Sequence, residues 1–560
     1  MTARPRAAGD TLSLRKDGSA DVPPFERILV ANRGEIAVRI LRAAREAGME
    51  TVAVFSDADA LSAHVRLADQ AVRLGPAPST ESYLRAAAVI DAARQTGAQA
   101  IHPGYGFLAE RASFAKAVED AGLTFIGPSS AAIAALGDKL AARRLAAAAD
   151  VPSVPGTSEP AMVERPDQVE EVLGIADAIG FPLLVKAAAG GGGRGMRRVE
   201  RREDLPAALA AGASESASAF GDGSVYLERE IRPARHIEVQ LLGDRAGTIV
   251  AIGERDCSLQ RRHQKLVEES PAPGLTREER IALHAMAVRL AETAGLTNAA
   301  TAEFLFDAER RFWFLEVNTR LQVEHGVSEL VSDLDIVREQ FRIAAGMPLS
   351  EQTIAAAARA ADPERHAIEV RLAAEDPARE FAPTPGRIGR WVVPSGPGVR
   401  VDSAVEAGER VPPDYDPMIA KLMVVDRTRD RAIARLGRAL DEWEVSGIQT
   451  TLPFHRFVAA DPSFRDAALS TDWVAEHWEP VIARDRGAAL ATARRLAAEF
   501  VWSAAGSAPG AVPMATTTGP GPTTAMASGP DPAAGPRART TPNDGWRATG
   551  RREALDRWPR

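Results

Sequence analysis

Residues 316 to 325 read Glu-Val-Asn-Thr-Arg-Leu-Gln-Val-Glu-His and follow directly on the aromatic run Phe312-Trp313-Phe314. No other stretch constrains the fold of this chain as tightly. Strand side chains alternate with period two, so Phe312, Phe314, Glu316 and Asn318 are expected on one strand face, with Arg320, Gln322 and Glu324 continuing the alternation. Upstream, Thr301 to Phe306 is a second strand-like run, and Asp307 to Arg311 is polar enough to turn. Pairing the two runs as a tight hairpin brings Glu303 opposite, or nearly opposite, Glu316. Facing carboxylates at about 5 Å repel and destabilise a sheet. A divalent cation removes that objection, because Mg²⁺ takes one or two carboxylates together with phosphate oxygens. Glu303, Glu316 and Asn318 therefore read as a magnesium site open to a nucleotide. Three solvated polar residues on an edge hairpin are the competing reading.

At 560 residues the chain is long enough for several domains. Its 45% hydrophobic and 26% charged residues are those of a soluble globular protein, and a net charge of -8 argues against nucleic acid as a partner. No apolar run is long enough to span a bilayer. Residues 1 to 24 lack an apolar signal core, and the single cysteine, Cys257, excludes an internal disulfide; a cytoplasmic location is the expectation.

Strand and helix patterns alternate from residue 25 to 126: strands at 27–31, 50–55, 98–102 and 124–126, helices at 36–47 and 86–96. The fold class is thus α/β, with an open parallel, Rossmann-like sheet at the N-terminus. The first turn, Asn32-Arg33-Gly34-Glu35, lacks the G-x-G-x-x-G fingerprint, so a dinucleotide site is weakly supported. A short apolar strand, 181–186, runs into Gly190-Gly191-Gly192-Gly193-Arg194-Gly195, and residues near 154 to 228 can form a small mobile lid that carries this loop. The expected boundaries are a disordered extension over 1–24, an N-terminal domain over 25–138, a second domain over 139–350 containing the lid, a third over 351–480, and an Ala-rich helix with a disordered tail over 481–560.

Consecutive glycines let backbone N–H groups approach a polyphosphate, and Lys186 sits at the strand end just before them. A flexible linker is the competing reading, although linkers seldom follow a buried strand ending in lysine. Lysine is scarce here, only six against an arginine-rich background, so each is informative: an ammonium does what a planar fork does not. Lys139 opens an Ala-rich helix, where it opposes the helix dipole and suggests an anionic partner; an exposed lysine is the alternative. Arg261-Arg262-His263-Gln264-Lys265 is a basic cluster whose bland reading is a solvated face.

Taken in order, the motifs identify a family. Residues 25 to 480 resemble biotin carboxylase, the ATP-grasp component of biotin-dependent carboxylases such as acetyl- and propionyl-CoA carboxylase. The likeness rests on Ile28 to Ala37, His102-Pro103-Gly104-Tyr105-Gly106-Phe107-Leu108, the loop 190–196, Glu254-Arg255-Asp256-Cys257-Ser258, Gln260 to Lys265, Glu316 to His325 and Tyr415-Asp416-Pro417-Met418. The resemblance implies an N-terminal domain, an ATP-grasp domain with a mobile lid and a C-terminal domain. It implies nucleotide contacts at Lys139, Lys186, Gly192, Gly193, Glu228, Arg229, Glu230, Ile231, His236 and His263, with Glu303 and Glu316 shared between nucleotide and metal. Asn318 completes the metal set for Mg²⁺ or Mn²⁺. Lys265, Arg320, Gln322 and Val323 match the bicarbonate site, Glu324 the general base and Arg371 the biotin-facing arginine; Tyr105, Gln260 and His263 lie in motifs near the biotin pocket.

The implied chemistry explains these residue types. A carboxylate base removes the proton of bicarbonate while a guanidinium holds the small planar anion by paired hydrogen bonds. Attack on the ATP γ-phosphate gives carboxyphosphate, which releases CO₂ and phosphate; phosphate takes the ureido proton of biotin, Arg371 stabilises the enolate oxygen, and N1 captures CO₂. A closed lid keeps water from carboxyphosphate. Three positions depart from many relatives: Ala189 where glycine is usual, Gly326 where proline is common, and Ala373 where a polar residue is usual.

None of the six lysines lies between two methionines, the setting of biotin on carrier domains of this family. Biotin is therefore expected on a separate carrier protein, with a separate carboxyltransferase, and a homodimer is the expected assembly. The rival readings are a urea carboxylase component, a carbamoyl-phosphate-forming ligase and a non-catalytic ATP-grasp subunit.

Overall fold

The computed structural model describes residues 24–161, 166–188, 196–220 and 222–480. The glycine loop with Gly192 and Gly193, Ala189, the N-terminal extension and the tail from 481 onward lie outside the described residues.

Five parallel strands form the N-terminal sheet, in the order Gln70–Gly75, Glu50–Ser56, Arg27–Val30, Ala100–His102, Thr124–Phe125. The first of these has no counterpart in the sequence pattern. It is an edge strand exposed over most of its length, so it carries little apolar signal. Apolar side chains bury both faces of the central strand: Ile28 and Val30 pack on one side, Leu29 on the other. At its end, the Asn32 side-chain amide donates to the Pro103 and Tyr105 carbonyls at 2.7 and 2.8 Å. Gly104 between them has φ +64°, and a Cβ there would lie 2.8 Å from Asn32 Nδ2, so only glycine lets the loop wrap this amide.

The second sheet has eight antiparallel strands, in the order Phe312–Asn318, Asn298–Asp307, Ala234–Gly243, Ile249–Arg261, Gln264–Ser270, His366–Ala373, Met418–Asp426, Val399–Ser403. It runs without a break through the boundary expected at residue 350, because 264–270 pairs directly with 366–373. Residues 154 to 228 carry a smaller sheet, Arg197–Val199, Leu183–Ala187 and Val225–Arg229, with its own core of Leu183, Val185, Val199, Leu209 and Leu227.

Glu303 lies opposite Glu316 and Thr301 opposite Asn318, the hairpin register read from the sequence. The shared face does not hold. The register slips between Glu303 and Phe304, whose partner is Phe314 rather than Leu315. One extra residue, a β-bulge, therefore separates the aromatic run from the carboxylate. Phe304, Phe306, Phe312 and Phe314 join the core under the sheet, while Glu316 and Asn318 turn to the other face beside Glu303. Nor does the alternation continue through Glu324: the strand ends at Asn318, and Glu324 caps the helix His325–Ser332 with φ -81° and ψ 12°. Arg320, Gln322 and Glu324 reach the same region from a turn.

Gly326, in the first turn of that helix, is explained by packing. A Cβ there would sit 2.2 Å from Met423 Sδ on the strand beneath. Gly326→Ala is expected to cost about 1–3 kcal/mol in urea unfolding through overpacking. In a double-mutant cycle with Met423→Ala, the pair should lose less than the sum of the singles.

Candidate active site

Period-two alternation sorts the strand Ala234–Gly243. Ile237, Val239 and Leu241 enter the core, and His236, Glu238 and Gln240 point the other way. Across the ladder Glu238 faces Glu303 on one side and Arg255 on the other. The open face of the sheet thereby gathers charge. Burying it requires partners for every group.

Lys265 supplies the centre. Its Nζ donates to Glu238 Oε2 at 2.5 Å, Glu303 Oε1 at 2.8 Å and Glu324 Oε1 at 2.7 Å. It reaches them from the end of a two-residue hairpin whose tip residues, Arg262 and His263, take φ 49° and 65°. The basic cluster thus divides: Arg262 and His263 are exposed, and Lys265 turns inward. Gln260, directly across the hairpin from Lys265, is buried. Burial opposes the Lys265 charge, but Glu238, Glu303 and Glu324 outweigh it and hold its pKa well above the usual lysine range. For Glu324 burial pushes upward, yet Lys265, Arg371 and Arg255 keep the carboxyl well below the usual range. Glu303 is likewise depressed, against burial, by Lys265 and His236. His236 Nε2 lies 2.9 Å from Glu303 Oε2, an ion-pair contact rather than an aligned hydrogen bond.

Arg320 is held by three side-chain acceptors, Glu110 Oε2 at 2.8 Å, Gln322 Oε1 at 2.8 Å and Asn318 Oδ1 at 3.0 Å, and by the Leu321 carbonyl at 3.3 Å. Asn318 and Gln322 in turn donate to Glu303 Oε1 at 2.7 and 3.2 Å. The turn that carries them is pinned twice. His325 Nδ1–H donates to the Gln322 carbonyl at 2.8 Å, and the buried Lys421 ammonium donates to the Val323 carbonyl at 2.6 Å. Arg371 bridges Glu268 Oε1 at 2.6 Å and Glu324 Oε2 at 2.9 Å. The Tyr105 hydroxyl donates to Glu35 rather than to any of these groups.

A second cluster faces the first. Lys186 and Arg143 both pair with the buried Glu228, the latter at 2.9 Å, and Lys139 Nζ lies 3.4 Å from Glu316 Oε2. Lys139 opens its helix as expected, with Asp138 capping it, and the anion it meets is a carboxylate of the hairpin. Glu230 pairs with Arg198 at 2.6 Å, Arg229 is exposed and Ile231 is half-buried. The sequence reading quoted Arg255 only within a family motif and missed Glu238, Glu110, Glu268 and Arg143. Glu238 was within reach, since His236-x-Glu238-x-Gln240 repeats a polar residue at strand spacing; the others show no local signal.

Hard oxygen donors from Glu303 and Glu316, directly opposed, with the Asn318 amide beside them and Lys139 and Lys265 flanking, fit a magnesium–polyphosphate pair. A tighter donor set, His236, Glu238 and Glu303, lies within 4.8 Å, but Lys265 already bonds two of its members.

Three family descriptions match in order: "Biotin carboxylase, N-terminal domain" over residues 24–133, "Carbamoyl-phosphate synthase L chain, ATP binding domain" over 138–352, and "Biotin carboxylase C-terminal domain" over 369–476. Biotin carboxylase 1 of Bacillus subtilis is 46% identical over 451 residues, 80% of this chain and 98% of that one. The biotin-dependent acyl-coenzyme A carboxylase alpha3 subunit of Mycobacterium leprae is 47% identical over 462 residues, 81% of this chain and 75% of its own. Biotin carboxylase of Pseudomonas aeruginosa is 47% identical over 440 residues, 79% of this chain and 96% of its own. Among solved structures, the Campylobacter jejuni biotin carboxylase–β,γ-ATP complex superposes with a TM-score of 0.77 at 43% identity, covering 81% of this chain and 99% of that one. The biotin carboxylase domain dimer of Hydrogenobacter thermophilus 2-oxoglutarate carboxylase, with MgADP, ADP and bicarbonate, gives 0.76 at 43%, covering 81% and 98%.

Removing the central cation should be severe. Lys265→Met leaves three buried carboxylates facing one another and is expected to cost about 3–5 kcal/mol at pH 8. Depressed carboxyls contribute stability at high pH and lose it as pH falls through their folded pKa, so the wild type weakens on acidification. The orphaned carboxyls of the variant bind protons sooner and lose their repulsion. Urea unfolding across a pH series should show the gap between the two proteins narrowing as pH falls.

Proposed function

The chain belongs to the biotin carboxylase family of ATP-dependent ligases, and from that premise we propose the role of each group in carboxylating biotin with bicarbonate. The observation that carries the assignment is Glu324, buried at a helix cap and gripped from both sides by Lys265 and Arg371. Glu303, Glu316 and Asn318 would hold magnesium, whose chemistry there would be neutralisation of charge on the nucleotide phosphates. Lys139, Lys186, Glu228 to Ile231, His236, His263 and the loop positions Gly192 and Gly193 bind the nucleotide. Arg320, Gln322 and Val323 seat bicarbonate, with Lys265 between it and the phosphates.

Glu324 removes the bicarbonate proton. With both cations bonded it is a weak base. Drawing Lys265 toward phosphate releases Oε1 and raises its basicity when the substrate arrives. Arg371, Tyr105 and Gln260 line the biotin side. Biotin arrives on a separate carrier, and a separate carboxyltransferase passes the carboxyl group to an acyl-CoA, acetyl-CoA or propionyl-CoA. An acyl-CoA acceptor is supported by one of the relatives, the acyl-coenzyme A carboxylase alpha3 subunit, while others are named for pyruvate and 2-oxoglutarate carboxylases.

Bicarbonate-dependent ATP hydrolysis by the isolated chain, stimulated by free biotin and needing neither ammonia nor urea, is the expected behaviour. Glu324→Gln should lower it by about 10²–10⁴-fold; unchanged turnover in that variant removes the general base from this reading. Incubation with biotin ligase should leave the chain unlabelled.

A further inference from the structure

On the strand pair that carries Arg371, Glu268 lies directly opposite Glu369. Two residues on, Arg371 lies directly opposite Lys421 of the next strand. Like charges in opposed positions repel, and here all four side chains are buried or nearly so. The cations find partners in Glu268, Glu324 and the Val323 carbonyl. The acids do not pair off equally. Glu268 Oε1 accepts from Arg371 Nε, while Glu268 Oε2 and both Glu369 oxygens are buried without a hydrogen-bond partner. Glu369 Oε2 lies under Gly326, 3.4 Å from where a Cβ would stand, so no side chain there can satisfy it. Leaving an ionised carboxylate in such a place costs far more than leaving an acid.

We propose that Glu268 is the positioning residue for Arg371, and that it acts as one member of an opposed carboxyl pair with Glu369 that carries one proton, on Glu369. This rests on the reading of Arg371 as the group facing biotin. One member must stay ionised to fix the guanidinium edge at Nε, so that Nη2 is aimed at Glu324 and the open cleft. The other must stay neutral, because two opposed buried carboxylates do not both ionise readily. The surrounding charges agree. Burial and Glu324 push Glu268 up to about 7, with Arg371 and Lys265 opposing, and burial with Glu268 and Glu324 holds Glu369 well above the usual carboxyl range despite Lys421 and Arg371. Cys257 lies beside Glu268 and Tyr105 beside Glu369, and Glu35, Asp402 and Arg400 act on Lys421.

The consequence is a pH dependence confined to the biotin side. Below about pH 7 a proton from solvent neutralises Glu268, and Arg371 loses its Nε anchor. The test measures bicarbonate-dependent ATP cleavage with and without free biotin from about pH 6 to about pH 9. In Glu268→Gln, biotin-dependent kcat should fall by roughly 10–100-fold, well beyond any fall in biotin-independent cleavage, and the acid limb near neutrality should disappear. Glu268→Asp should recover part of the loss. Equal loss in both activities, or no loss in either, overturns the proposal. Infrared spectroscopy tests the pair without turnover: a protonated-carboxyl band present in the wild type at pH 8 should be missing from Glu369→Gln, and its absence from the wild type overturns the proton on Glu369. A wild type without bicarbonate-dependent ATP cleavage refutes the parent reading instead, and this one with it.

Discussion

The Lys265 ammonium meets three buried carboxylates from three different segments, and the rest of the site is arranged around that contact. Its arithmetic is unusual. One positive charge cannot neutralise three negatives, so each carboxylate needs a second cation or donor. Arg255 serves Glu238, Arg371 serves Glu324, and His236 with Asn318 serves Glu303. Each secondary partner lies on a different strand or turn. A substitution at the centre therefore propagates outward, and a substrate anion that competes for Lys265 changes the basicity of all three acids together.

Such a network survives burial only because the sheet has two unlike faces. Ile237, Val239, Phe304 and Phe314 make one face an ordinary core, while His236, Glu238 and Glu303 make the other a charged floor. The bulge at Leu315 lets the outermost strand serve both, keeping its aromatic residues below and its carboxylate and amide above. A regular ladder would send Glu316 into the core with Phe314, or expel the aromatics. The same rule governs the C-terminal half of the sheet, where Glu268, Glu369, Arg371 and Lys421 share one buried face.

Local signals in the sequence reach as far as pairing partners close along the chain. The apposition of Glu303 and Glu316 follows from two strand-like runs and a polar turn, and the parallel N-terminal sheet follows from alternating apolar runs. Two things escape such reading. One is the slip of a single residue at Leu315, which reverses a face without changing the pattern of residue types. The other is contact at long range: Lys265 and Glu324 are 59 residues apart, and Arg371 and Glu268 are 103 apart. Lys265 was visible only as part of a basic run, and Arg371 had no meaning in isolation. The family motifs supplied what local pattern did not, whereas Glu268 and Glu369 stand in strands that look like ordinary alternating sequence.

Gly326 ties these observations together. It sits two residues past Glu324, between the helix that carries the base and the strand that carries Met423 and faces Glu369. A side chain at this point must displace the Met423 side chain. With only a hydrogen at this position, the helix settles close onto the sheet, and the buried acids and Arg371 come within reach of the Glu324 carboxylate. The same helix end holds Glu324 between Lys265 and Arg371.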